Sequence, residues 1–181
     1  MLRINLTKAT FWLLPLLAFS LTGCGVVQSV NDGSRSVFSS LFYKKVKVLR
    51  LDFIAREALN TDSRESLSLS EPVVVRVYQL KDRGTFDNAL YQQLLQEGDI
   101  ILQTDLLASR DVVLKPGGNA SLTMPMEEKT RFVAVAGLFR HPDMVAGTWK
   151  QVIKREDFDP DKPCVLEAGD NALTLLSVKA K

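Results

Sequence analysis

Cys24 is the residue whose type and setting point most directly to chemistry. It follows Leu21-Thr22-Gly23 at the end of a segment that carries Arg3 and Lys8, no acid, and the apolar run Phe11, Trp12, Leu13, Leu14, Leu16, Leu17, Ala18 and Phe19. A positive start followed by a short apolar run is the layout of a secretory signal, too short for a membrane-spanning stop-transfer helix. Small residues at positions 22 and 23 let an extended chain enter a peptidase. The thiol behind them is the only nucleophile there that can carry a glyceride through a thioether. The expected product begins at Cys24 and bears an S-diacylglycerol and an N-acyl chain.

The four residues closely resemble the bacterial lipobox. Three acyl chains, at about 0.8 kcal/mol per buried methylene, make such an attachment permanent where a single myristate would be reversible. Gly25, not an aspartate, follows the cysteine. By resemblance to the sorting rule of enterobacterial lipoproteins, that residue directs export to the outer membrane, on its periplasmic face. Residues 1–23 are expected to be removed, 24–43 to form a lipidated tether, and 44–181 to form one domain. A flexible tether of about twenty residues reaches roughly 25 Å.

Elsewhere the search for reactive groups is negative. The single histidine, His141, lies in Arg140-His141-Pro142-Asp143, a loop leaving a strand, and one histidine without a cysteine pair does not make a metal site. Gly117-Gly118 has no helix behind it to cradle a phosphate. Ser109, His141 and Asp143 lack a nucleophile-elbow pattern. Asp157 with Asp159, and Glu127 with Glu128, fall in polar turn-like segments and read as solvated. Cys164, in Pro163-Cys164-Val165-Leu166, reads as a small buried hydrophobe. No catalytic residue, no metal and no cofactor beyond the lipid is expected. The chain has 23 basic and 21 acidic residues; without Arg3 and Lys8 the balance is even, which removes any pointer to nucleic acid. No small-molecule substrate is indicated either.

The elements that position these residues are mostly strands. Val46 and Val48 share one face, and Leu49, Leu51 and Phe53 the other, a phase slip that predicts a β-bulge. Val73, Val75 and Val77 alternate with Val74, Arg76 and Tyr78, predicting a second strand. One helix is expected next, capped by Thr85, with Phe86, Ala89, Leu90 and Leu94 on one face and Gly98 at its end. Residues 99–109 fit either a second short helix or a packed loop. Val112-Val113-Leu114 leads into Pro116-Gly117-Gly118-Asn119, a predicted hairpin turn. Residues 131–140 carry apolar side chains on both faces, as a central strand does. Trp149 and Ile153 mark a further strand, with Lys150 and Lys154 facing out. Cys164 to Glu167 and Ala172 to Val178 close the chain as a hairpin through Gly169-Asp170-Asn171. The pattern predicts a mainly β fold, a β-sandwich of about eight strands with a helical insertion between the second and third.

The connection after the first strand is long: Asn60, Thr61, Asp62, Ser63, Arg64, Glu65, Ser66, Leu67, Ser68 and Leu69. A hairpin needs only two to five residues, and long loops on a rigid sandwich carry binding specificity.

Together these residues resemble a known family. Ala58-Leu59-Asn60-Thr61-Asp62 precedes the connection, and Pro72-Val73-Val74-Val75-Arg76-Val77-Tyr78-Gln79-Leu80 follows it. Thr85-Phe86-Asp87, Val133-Ala134-Val135-Ala136-Gly137-Leu138-Phe139-Arg140 and Trp149 come later. The set is similar to the TssJ (SciN, VasD) family, the outer-membrane lipoprotein of the type VI secretion system, from about residue 45 to the C-terminus. The resemblance implies a transthyretin-like β-sandwich with added helix. It also implies binding of the periplasmic C-terminal domain of TssM and, through it, an indirect link to TssL. The family's partner-binding loop maps onto residues 60–69. Two rival readings are another transthyretin-like periplasmic module for carbohydrate or cell-wall material, and a lipoprotein hydrolase. The first requires a groove of exposed aromatics, the second a nucleophile motif that is absent.

Overall fold

Alternation of apolar and polar residues sets the inner face of each strand. The computed structural model describes residues 46–62 and 69–177. In β1 (Val48–Leu59), Leu49, Leu51, Phe53 and Ala55 are buried while their neighbours face outward. The bulge predicted between Val48 and Leu49 is not there. Pairing with β4 (Asn119–Pro125) runs in register from Val48↔Pro125 to Ile54↔Asn119. Val46 is buried ahead of the strand, and Val48 faces partly outward. The irregularity lies at the other end, between Ala55 and Leu59, where β1 runs parallel to β7 (Cys164–Asp170).

Seven further strands and intervening helices complete the fold. They are β2 (Val73–Leu80), β3 (Leu106–Leu114), β5 (Phe132–Gly137), β6 (Lys150–Lys154) and β8 (Ala172–Ser177), with β4 and β7 as given. One sheet has the order β4-β1-β7-β8 and the other β3-β2-β5-β6. All pairs are antiparallel except β1 with β7. A single apolar core, drawing on both sheets, joins them. The mainly β architecture of eight strands, with helix between the second and third, is as expected. Residues 106–109, the end of the 99–109 stretch that fits a helix or a packed loop by sequence, instead open β3 and pair with β2.

The segment Pro116-Gly117-Gly118-Asn119 is not a hairpin, because β3 and β4 belong to different sheets. It carries the chain across the sandwich edge. Gly117 has φ +66°, its N–H donates to the Arg56 carbonyl at 3.1 Å, and the Glu57 side chain occupies the space a Cβ would need. Glycine is required there by both strain and contact.

The expected single helix is two: α1 (Gly84–Asn88) and α2 (Tyr91–Ile101). Leu90 stands extended between them, 64% exposed, and its N–H is taken by the Gln93 side chain at 2.9 Å. Thr85 lies inside α1 instead of capping it, and its hydroxyl donates to Asp105. Gly98 sits at a break in α2: Glu97 just before it has φ −138° and ψ 34°, outside helical geometry, and a further turn runs on to Ile101. Gly98 is buried against the Tyr78 hydroxyl, where any Cβ would overlap, so its smallness serves close packing. Burial pushes the Tyr78 phenol up, and the Arg76 guanidinium beside it pulls the other way.

Both helices lie on the outer face of the second sheet. Tyr78 meets Phe86 edge-on at 5.9 Å, Tyr91 meets Trp149 at 5.0 Å, and the Tyr91 hydroxyl donates to the Phe139 carbonyl. Lys150 was expected to face out, yet its ammonium donates to the Phe86 and Asp87 carbonyls at the end of α1. This cover explains why Val133 to Ala136 of β5 are all fully buried. On the inner face, buried Gln79 donates to the Pro125 carbonyl and accepts from Glu127 N–H and the Thr130 hydroxyl, each at 2.8 Å.

Cys164 is 3% exposed at the start of β7, and burial pushes its thiol up to about 12. At pH 8 only about one thiol in ten thousand is then ionised, and the thiolate is the reactive form. A Cys24→Ser chain is expected to ignore a thiol reagent at pH 8 when native and to label one equivalent in denaturant. Rapid labelling of the native state contradicts that packing.

Candidate functional site

The site is built from the base of the long connection upward. β1 ends at Leu59, and Asn60 turns the chain with φ +53°, a left-handed conformation that asparagine tolerates better than most residues. Its N–H donates to Asp170, itself at φ +51°, in the β7–β8 turn. The Asn60 side chain does two jobs. Its Oδ1 accepts the Arg140 N–H at 2.7 Å, and its Nδ2 donates to the Pro72 carbonyl at 3.1 Å. The second bond ties the outgoing end of the loop to the returning one.

Further bonds close the base. Glu71 N–H donates to the Leu59 carbonyl at 3.0 Å, and Leu59 N–H donates to Ser70 Oγ at 3.4 Å. The Arg140 guanidinium reaches the Asn60 carbonyl at 3.2 Å and pairs with Glu71 at 3.1 Å. Asn171 Nδ2 donates to the Thr61 carbonyl at 2.9 Å. His141 Nε2 stands 2.9 Å from Asp62 Oδ2. Three connections, β1–β2, β5–β6 and β7–β8, therefore meet at one end of the fold. Asn60 and Asp62 are almost wholly buried there, unusual for polar residues unless they are paired.

Of the ten residues expected to meet a partner, Asn60, Thr61, Asp62 and Leu69 are described. Ser63, Arg64, Glu65, Ser66, Leu67 and Ser68 lie outside the described residues, as do Cys24 and the tether. Leu69 is 73% exposed. The sequence reading missed Glu71, Arg140, Asp170 and Asn171 as members of the base. A polar residue directly after a strand, as at Asn60, was the available signal for a left-handed turn; nothing local marked its partners.

The β5–β6 connection leaves this base through Pro142. Asp143 folds it into a tight turn: its carboxylate accepts the Val145 and Ala146 N–H groups at 2.9 and 2.8 Å, and its carbonyl accepts Gly147 N–H at 3.0 Å. Gly147 has φ +64°. Met144 and Val145 stand at the tip, 56% and 99% exposed.

A second concavity lies between the C-terminal half of α2 and β3, lined by Arg76, Gln96, Glu97, Asp99, Ser109 and Arg110 among others. Its charges largely satisfy one another. Arg76 makes two bonds to Asp111, at 2.7 and 3.0 Å, and Ser109 donates to Asp99 at 2.9 Å. That pairing holds the Arg76 guanidinium well above its ordinary value. Among the described residues no group of three His, Cys, Asp or Glu could hold a metal ion, and no helix is long and apolar enough to cross a membrane. The arrangement suits binding through a loop on a fixed base.

Comparison with known proteins places the chain in context. The family model T6SS-SciN, described as type VI secretion lipoprotein (VasD, EvfM, TssJ), matches residues 47–174. No curated protein matches. Among solved structures, a chain described under "Type VI membrane complex" is 42% identical, with a TM-score of 0.68, covering 73% of this chain and 99% of that one. A chain in "T6SS protein TssM C-terminal domain (869-1107) from EAEC" is 41% identical, with a TM-score of 0.66, covering 74% and 100%. The lipoprotein TssJ1 from Pseudomonas aeruginosa shares the fold at 22% identity and a TM-score of 0.60, covering 75% and 98%.

Proposed function

We propose that this chain, which belongs to the type VI secretion lipoprotein family of VasD, EvfM and TssJ, is held in the outer membrane by lipid on Cys24 and docks the periplasmic C-terminal domain of TssM through residues 60–69. The observation that carries the reading is the 41% identical chain in a structure described as that TssM domain. The matched chain is covered whole by 74% of 181 residues, about 134, fewer than 869–1107 would hold. That supports its being a companion of the TssM domain and not the domain itself. TssL is reached indirectly, through TssM.

The physical role is mechanical. Lipid fixes one end, the tether gives reach, and the sandwich presents the loop. Pinning the loop at Asn60, Thr61, Asp62 and Glu71 removes ordering entropy that binding would otherwise have to overcome. Arg64 and Glu65 set orientation and on-rate, while Leu67 and Leu69 supply apolar burial. Against the carbohydrate-binding alternative, Tyr78, Tyr91 and Trp149, among the described residues, are all buried between helices and sheet.

Exchanging residues 63–68 for a Gly-Ser segment of equal length tests the reading. Calorimetry is expected to show affinity for the periplasmic TssM domain reduced at least a hundredfold, with a cooperative melt retained. Wild-type affinity in that variant would move the interface elsewhere.

A further inference from the structure

We infer that the β5–β6 turn, with Met144 and Val145 at its tip, is a second contact for the partner met by residues 60–69, an apolar anchor that seats in a shallow apolar socket on that protein. The inference rests on the reading of the loop above and extends it to a segment eighty residues further along the chain.

Single exposed apolar side chains are ordinary on a protein surface. This pair is set apart by three features. First, the turn that carries it is rigid. Asp143 accepts three backbone N–H groups within four residues, so the two side chains are held outward instead of folding back on the core. Val145, at 99% exposure, buries nothing in the folded chain, and neither does much of Met144. Fixing apolar groups in water contributes nothing to the fold, but it lowers the ordering cost of association.

Second, the turn is continuous with the loop base. It leaves β5 through Arg140 and His141, the residues that grip Asn60, Glu71 and Asp62. Leu69, 73% exposed, is two residues from Glu71, and Val145 is five from Arg140. Exposed apolar side chains thus follow within a few residues of the same charged, hydrogen-bonded node in both the loop and the turn.

Third, the chemistry around the pair fits a protein and not a lipid surface. Surface-lying membrane contacts combine aromatic or leucine-rich faces with a cluster of basic residues. Here the neighbours are Asp143 and an Arg140 already paired with Glu71, which make a mixed polar rim like that of a protein interface. Methionine adapts to an irregular socket, and valine gives a compact, rotamer-restricted plug.

The test uses the full chain in detergent and the periplasmic domain of TssM as titrant. A Met144→Ser/Val145→Ser variant is expected to bind at least tenfold more weakly than wild type with an unchanged melting temperature. Val145→Glu, a single change at a side chain without folded contacts, serves the same purpose should the double variant unfold. Unchanged affinity in these variants, alongside lost affinity in the 63–68 exchange, would overturn the inference and leave the loop reading standing. Absence of binding by wild type would remove the loop reading, and this inference with it. If the variants keep wild-type affinity for TssM, and a Cys24→Ala chain floats with phosphatidylethanolamine and phosphatidylglycerol vesicles only while Met144 and Val145 are intact, the turn meets lipid and the inference is wrong.

Discussion

With Cys24→Ala, and residues 1–23 exchanged for a signal that an ordinary leader peptidase removes, the chain is expected to leave the membrane fraction and appear as a folded soluble protein in the periplasm. The size of the effect follows from the chemistry of the anchor. A single myristate binds bilayers with a constant of about 10⁴ M⁻¹, and each further buried methylene adds about 0.8 kcal/mol. Three chains take the bound state beyond measurable exchange; no chains leave only the polar surface of the domain. No helix among the described residues is long and apolar enough to substitute. The melting transition should be that of wild type, because the core is assembled from residues 46 onward. Secretion should stop, since a freely diffusing domain transmits no force. Unchanged flotation of the variant with outer membranes would refute lipid anchoring at Cys24.

Asn60→Ala is expected to cost about 3 kcal/mol of folding stability, the largest single loss outside the apolar core. Two contributions add. The Arg140 N–H and the Pro72 carbonyl each lose a partner in a part-buried setting, worth about 1–3 kcal/mol together. Alanine at φ +53° adds roughly 1 kcal/mol of backbone strain. Two companions separate these terms. Asn60→Gly removes the strain and keeps the lost bonds, while Asn60→Asp keeps an acceptor for Arg140 and loses the donor to Pro72. Both should fall between wild type and Asn60→Ala in urea denaturation. TssM affinity should weaken along the same order, because the loop ends are no longer clamped. A loss below about 0.5 kcal/mol for the alanine variant, the range of ordinary surface changes, would mean that the base is not a structural unit.

Much of the fold can be read locally, and the failures have physical causes. Strict alternation in Val73, Val75 and Val77, and the Gly169-Asp170-Asn171 turn before β8, are local signals, and both strands form as expected. The Val46/Val48 slip misled because Val46 is buried before the strand begins, so two valines two residues apart do not share its pairing. Pro116-Gly117-Gly118-Asn119 has hairpin chemistry, yet whether the next strand pairs back or crosses to the other sheet depends on contacts with Arg56 and Glu57, about sixty residues earlier. Gly98 carried a helix-stop signal, and α2 does break at Glu97 beside it before one more turn follows, with Gly98 packed on Tyr78. The apolar run at residues 99–109 suited a short helix or a packed loop; its first residues instead end α2, and its last form strand because they pair with β2, a long-range contact.

The site follows the same rule. The length of the 60–69 connection is visible in the chain, and so is the lipid cysteine. The base that makes the loop useful is not, because Asn60 bonds to Arg140 across 80 residues and Thr61 to Asn171 across 110. An asparagine after a strand looks like any turn residue until its partners are folded against it. The family resemblance drew attention to the loop, whereas the hydrogen bonds beneath it and the Met144-Val145 turn beside it emerge from the fold alone.

The most direct test of the central claim is co-elution of the purified full chain with the periplasmic C-terminal domain of TssM, followed by light scattering on a sizing column. One joint peak heavier than either component is expected, lost on exchange of residues 63–68 and retained in the Cys24→Ala chain. Separate elution of the two proteins at tens of micromolar, the concentration at which even a weak specific interface is populated, would contradict it.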